Sequence, residues 1–168
     1  MTRLQIYDII KARREDIIAN WQDTISAQLG TEPGLGSAAA RPRPKARQFA
    51  NPIEHVIEKG TDAILAWLID EEGTKGIRGT LEEMCKLRAI QGLSPAEALG
   101  FIFLLKDAIF ATLAPDTAPA ALRAELKPVD RRIDSLMLSA FDEYVRQRAR
   151  ITQIRVEESA RLQGRGVA

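Results

Sequence analysis

Apolar residues recur along this chain at helical spacing, and nowhere in the alternation of a half-buried strand. The densest stretch begins at Ser94. Ser94 has the chemistry of an N-cap, Pro95 takes the first helical position, and Glu97 stands three residues after the cap, closing a capping box. Behind it Ala98, Leu99, Phe101, Ile102, Phe103, Leu104, Leu105, Ala108, Ile109, Phe110 and Leu113 leave almost no polar side. A helix apolar nearly all round belongs among other helices. The pattern therefore predicts an enclosed central helix that ends near Leu113, before Pro115.

The other elements follow in order. From Thr2 to Leu29, the residues Leu4, Ile6, Ile9, Ile10, Ile17, Ile18, Trp21, Ile25 and Leu29 predict one amphipathic helix stopped by Gly30. Residues 30–48 show no periodicity and contain Pro33, Pro42 and Pro44, so they read as an exposed flexible loop. Asn51, Pro52 and Glu54 repeat the start signals of Ser94, opening a helix whose face is Ile53, Val56, Ile57, Ile64, Trp67 and Leu68. Gly60 lies on that face and costs the helix about 1 kcal/mol against alanine, which points to close approach of a neighbouring helix. Residues 72–79 read as a turn, and Thr80-Leu-Glu-Glu83 as a capping box opening a short helix with Leu81, Met84, Cys85, Leu87 and Ile90 inward. Gln91-Gly92-Leu93 then turns the chain into the central helix.

After it, Ala118 to Leu126 forms a short approach broken near Pro128. A final helix runs from Val129 to about Leu162, with Ile133, Leu136, Met137, Ala140, Phe141 and Tyr144 on its apolar face. Its length, roughly 50 Å, exceeds a small domain, so its distal half is expected to project or to lie against a second chain. The fold class is all-α: a single domain, residues 1–168, of about six helices with a long C-terminal one.

Charge and composition narrow the partners. Lys and Arg total 24 against 23 Asp and Glu, a net charge of +1, so no long-range field recruits nucleic acid or an anionic membrane. The arginines Arg146, Arg148, Arg150, Arg155, Arg161 and Arg165 are interrupted by Glu157 and Glu158, and no aromatic residue follows Tyr144 to stack a base. The basic segment Arg41–Arg47 reads as a solubilising linker. The apolar run Ala98–Leu105 is far short of the ~20 residues of a membrane span, and the N-terminus lacks the apolar core of a signal peptide. The expectation is a cytoplasmic protein without nucleic-acid binding or membrane insertion.

Candidate chemistry is sparse. His55 is the only histidine, Cys85 the only thiol, and together they cannot build a multi-ligand metal site. His55 would be an axial ligand if the helices held haem; beside Glu54 and Glu58 it reads first as a surface residue. Cys85 among Leu81, Met84 and Leu87 reads as a buried, inert thiol. Arg88, Gln91 and Lys106 are polar groups in or beside the most apolar segment. They form either a small polar pocket for a signal ligand or interhelical bonds to a carboxylate of the final helix such as Asp130, Asp134 or Asp142. No phosphate-binding loop and no Ser-His-Asp set is present, so the chain reads as a non-enzyme with no catalytic residues, metal or cofactor.

Three segments together carry a family resemblance: Phe49-Ala-Asn-Pro-Ile-Glu-His-Val-Ile-Glu-Lys-Gly60, the stretch from Arg88 through Ala-Ile-Gln-Gly-Leu-Ser-Pro-Ala-Glu-Ala-Leu-Gly-Phe-Ile-Phe-Leu-Leu to Lys106, and Asp130-Arg-Arg-Ile-Asp-Ser-Leu-Met-Leu-Ser-Ala-Phe-Asp-Glu-Tyr144. Their combination and order resemble the N-terminal domain of RsbR-type co-antagonists, the proteins that build stressosomes. The resemblance implies a globin-like helical domain without haem, dimeric, serving as a sensory or regulatory input; it brings no catalytic residues. In such relatives the last helix leads into a STAS domain. Because this chain stops at Ala168, the expectation is a stand-alone module without that output, binding an unidentified regulatory protein. Tyr144, Arg148, Ile151 and Ile154 on the final helix are the expected dimer or partner surface. The alternative is a globin-like sensor that does bind haem or another small ligand.

Overall fold

The computed structural model describes residues 3–29, 52–69 and 74–165. Among them there are only helices and turns: α1 (Arg3–Ala12), α2 (Arg14–Leu29), α3 (Pro52–Ile69), α4 (Thr74–Ile90), α5 (Pro95–Leu99), α6 (Phe101–Leu113), a single 3-10 turn (Ala114–Asp116) and α7 (Pro119–Arg165). The protein is an all-α bundle that ends in one long helix. α4 lies along α7, α2 along α6, and α3 packs on α4. The proline-containing stretch at 30–48 and the caps expected at Asn51 and Gly30 lie outside the described residues.

The first predicted helix is present but bends at Arg13, where α1 gives way to α2. Backbone bonds continue on both sides, Arg13 N–H to the Ile9 carbonyl and Ile17 N–H to the Arg13 carbonyl, each at 3.0 Å. The Arg13 side chain reaches both Asp16 at 2.9 Å and Asp116 at 2.8 Å, tying the bend to the 3-10 turn. Ile6, Ile10, Ile17, Trp21 and Ile25 are buried as their spacing requires. The Trp21 indole N–H donates to the Phe101 carbonyl at 2.7 Å, and its ring stacks on that of Phe101.

In α3 the close approach expected at Gly60 is realised. A Cβ there would stand 2.2 Å from Met84 Sδ, so α3 and α4 meet where a side chain is missing. The predicted turn at 72–79 is corrected beyond its first residues: α4 starts at Thr74, and Thr80 sits inside it rather than capping it. Gly76 and Gly79 disfavour a helix by about 1 kcal/mol each. Ile77, four residues before Leu81, is buried with Leu81 and Met84, and that packing outweighs the propensity. Ile90, expected inward, is 55% exposed. Gly92 closes the α4–α5 turn at φ 75°, a left-handed conformation that favours glycine.

The capping box at Ser94 is complete: Ser94 Oγ accepts from Glu97 N–H at 3.3 Å, and Glu97 Oε2 accepts from Ser94 N–H at 2.7 Å. The bond from Ser94 N–H, joined by one from the Ser94 hydroxyl to the same Oε2 at 2.7 Å, holds the Glu97 carboxyl below its usual range. The central helix is interrupted at Gly100, where a Cβ would stand 2.7 Å from the Ala96 carbonyl oxygen. Its enclosure is partial, which corrects the expected cylinder. Phe101, Ile102, Leu105, Ala108, Ile109 and Leu113 are buried, Leu104 and Phe110 are half-buried, and Phe103 is 49% exposed. The run counted from the sequence stopped at Leu105. With Lys106 and Asp107 tolerated, Pro95–Asp116 is long and apolar enough to cross a membrane by length and composition, a test that core helices of soluble proteins also pass.

The expected break at Pro128 is absent, and α7 runs through it for 47 residues, about 70 Å. An internal proline costs about 3 kcal/mol or more. Leu122, Leu126, Val129, Ile133 and Leu136 bury one continuous face on either side of it and offset that cost. Arg132 fastens this segment. Its guanidinium donates to the Trp67 carbonyl at 2.7 Å and lies 4.8 Å from the Trp67 ring and 5.9 Å from the Tyr7 ring. That carbonyl belongs to the last turn of α3, which has no acceptor-satisfying partner within its own helix. The distal half projects as expected: residues 152–162 are all exposed.

Candidate interaction surface

The residues singled out from the sequence fall into separate places. Arg88 is buried at the α4–α5 turn, donating to the Glu97 carbonyl at 3.0 Å and reaching Gln91 Oε1 at 3.4 Å. Lys106 is elsewhere, on α6, paired with Asp134 of α7 at 2.6 Å. The expected polar pocket of Arg88, Gln91 and Lys106 is therefore not assembled. The other reading of the same residues describes the contacts: an interhelical bond to a final-helix carboxylate, and a guanidinium that ties a turn. Asp130, beside that ion pair, has its carboxyl raised by burial.

Tyr144 is turned inward, not toward the expected partner surface. It is 1% exposed, and its hydroxyl donates to the Leu93 carbonyl, holding the α4–α5 turn against α7. Burial raises that hydroxyl above its ordinary range. A residue three or four positions along a helix shares its face, and the buried stripe continues through Gln147 to half-buried Ile151, which packs on the core. Arg148 and Ile154 are exposed. Of the four residues, only these two lie open.

Glu143 and Gln147, passed over in the sequence, form the polar end of the buried stripe. Gln147 Nε2 donates to Glu143 Oε1 at 2.7 Å and Arg146 to Oε2 at 2.5 Å. The bond from Gln147 chiefly lowers the Glu143 carboxyl. His55 is exposed on α3. Cys85 is buried, its Sγ 3.5 Å from the Ala140 carbonyl, and burial pushes its thiol up to about 12. Among the described residues no group of His, Cys, Asp and Glu could hold a metal ion. Two surface depressions, one beside Asn20 and Asp23 on α2 and one beside Thr152 and Val156 on α7, are both open to solvent.

What the sequence hid is an exposed apolar face. Leu138, Phe141 and Val145 are 69%, 46% and 48% exposed on α7, on the flank beside the buried stripe through Ala140 and Tyr144. α6 runs antiparallel beside α7, as the Lys106–Asp134 and Leu93–Tyr144 contacts fix, and this register sets exposed Phe103 level with Met137 and Leu138. The signal was in the sequence as a second stripe on α7, but Phe141 was counted with the core. Large apolar groups left in water are costly, at about 25 cal/mol for each Å².

Residues 15–159 match the family described as the RsbT co-antagonist protein rsbRD N-terminal domain. The chain matches no curated protein and no solved structure. The match spans the bundle from α2 to the projecting part of α7 and contains all three segments that carried the resemblance. The chain belongs to the RsbRD N-terminal domain family.

Proposed function

We propose that this protein is a regulatory protein-interaction module that works as a homodimer, paired through the α6–α7 face, and that it acts in the cytoplasm as a sensory input to an unidentified partner. One observation carries the reading: the exposed face bearing Phe103, Leu138, Phe141 and Val145. Two antiparallel helices presenting apolar residues side by side make a half-bundle, and a two-fold mate completes four helices around a shared core. The family's description as a domain of an RsbT co-antagonist supports the regulatory role. Function by contact rather than catalysis fits side chains spent on structure: Arg88 on a turn, Lys106 on Asp134, and Cys85 buried as a protonated thiol. Sedimentation at micromolar concentration tests the pairing. The unaltered chain is expected at twice its monomer mass, and Phe141→Glu with Val145→Glu at the monomer mass with its helical signal kept. A monomeric unaltered chain refutes the proposal. A Soret band in protein purified from haem-supplied cells, lost on His55→Ala, would replace it with the haem-binding alternative.

A further inference from the structure

The side of α7 that the body buries does not stop where the body does. Leu136, Ala140, Tyr144 and Gln147 are buried on it, and Ile151 is half-buried. At about 100° per residue, the same side carries Ile154 and Leu162, 47% and 72% exposed, along the projecting part. From Ile151 to Leu162 this line is about 17 Å long, three turns of helix. Exposed arginines border it on both flanks, Arg148 and Arg155 on one, Arg150 and Arg161 on the other. Among the described residues no ion pair engages any of the four. Two carboxylates share the segment. Glu158 lies on the line itself, and Glu157 accepts from Gln153 at 3.1 Å toward the far side of the helix.

We infer that this line is a docking strip for an acidic amphipathic helix of a partner protein. The inference rests on the reading that the protein serves an unidentified partner, and it gives that partner its chemistry. An apolar line along an exposed helix is covered by the apolar line of another helix. Charge chooses which helix that is. Both flanks of the strip are basic, so a second copy laid along it sets arginine against arginine whether it runs parallel or antiparallel. A helix with carboxylates on both flanks instead meets four guanidiniums that no other residue engages. Glu158, in the middle of the line, adds one requirement. The partner must place a lysine or an amide side chain opposite it, because an apolar group there would bury a lone carboxylate. The strip lies about 140° around α7 from Val145, so the α6–α7 face stays free while the strip is occupied.

The test measures fluorescence anisotropy of labelled synthetic peptides mixed with the full chain. The first peptide has leucines at helical spacing, one central lysine and glutamates on both flanks. The second keeps the leucines and carries lysines on the flanks. The third has the composition of the first with its leucines scattered. The first is expected to bind at micromolar concentration and the other two at least about tenfold more weakly, with binding lost progressively as salt screens the flanks. Ile154→Glu with Leu162→Glu should weaken the first peptide at least about tenfold, keep the helical signal and leave the sedimenting mass unchanged. Phe141→Glu with Val145→Glu should leave the peptide affinity as it was. The inference is overturned if the first peptide does not bind, if either of the others binds as well, or if Ile154→Glu with Leu162→Glu makes no difference. It is overturned too if that variant turns a dimer into a monomer, which would give the strip to a second copy. A chain that is monomeric throughout yet binds the first peptide refutes the homodimer and leaves this inference standing.

Discussion

The meeting of α3 and α4 at Gly60 supports a prediction whose sign depends on the background in which it is made. In the folded chain a Cβ added at Gly60 would lie 2.2 Å from Met84 Sδ and 2.6 Å from Met84 Cε, inside a packed interior where Met84 is 4% exposed. Alanine gains about 1 kcal/mol over glycine within a helix. Forcing a methyl into a full core costs about 1–3 kcal/mol. The net effect of Gly60→Ala is expected to be a loss of up to about 2 kcal/mol. Met84→Ala alone leaves a cavity and costs about 2–5 kcal/mol. It also removes the two atoms that obstruct the new methyl. In that background Gly60→Ala keeps its helical gain and partly refills the space, so the double variant is expected to be more stable than Met84→Ala. The coupling between the sites is then about 1–3 kcal/mol, well outside the scatter of independent sites. Urea unfolding followed by far-ultraviolet circular dichroism measures it, with all four proteins at one concentration so that mass action on any self-association is held fixed. Effects that add to within about 0.5 kcal/mol would refute the reasoning.

Gly100→Ala offers the contrasting case. The obstructing atom is the Ala96 carbonyl oxygen at 2.7 Å, which cannot swing away, so the substitution is expected to lower the unfolding midpoint in every background; a stabilised variant would show that the bend at Gly100 is dispensable. Arg132→Ala removes a donor to the Trp67 carbonyl and a cation over the Trp67 ring, with an expected cost of about 1–3 kcal/mol and a changed Trp67 emission; Arg132→Lys should recover part of the stability, having the charge without the planar fork. Iodoacetamide at pH 8 should label Cys85 only as fast as the chain unfolds, and rapid labelling of folded protein would contradict its burial. Because the folded chain holds the Cys85 proton up to about 12 against an ordinary 9.0, its contribution is complete below 9.0 and lost as pH rises toward 12; Cys85→Ser should remove that part of the alkaline slope in stability.

Local chemistry was legible without coordinates. The Ser94 capping box, the turn at Gly92, the close approach at Gly60 and the projection of α7 each follow from a few neighbouring residues, and so does the pairing of Lys106 with a final-helix carboxylate, realised by Asp134. Helical period likewise determined the all-α class. What periodicity cannot say is which neighbour covers an apolar side. Thr74 to Gly79 became helical because Ile77 found a place in the core, and Pro128 stayed within α7 because apolar residues before and after it were buried together. Tyr144 turned inward to the Leu93 carbonyl, whereas Phe103 and Phe141, apolar and helically spaced like their buried neighbours, were left facing water. Burial depends on the packing of helices distant in sequence. Only the tertiary structure showed that the face bearing Phe103, Leu138, Phe141 and Val145 is left bare.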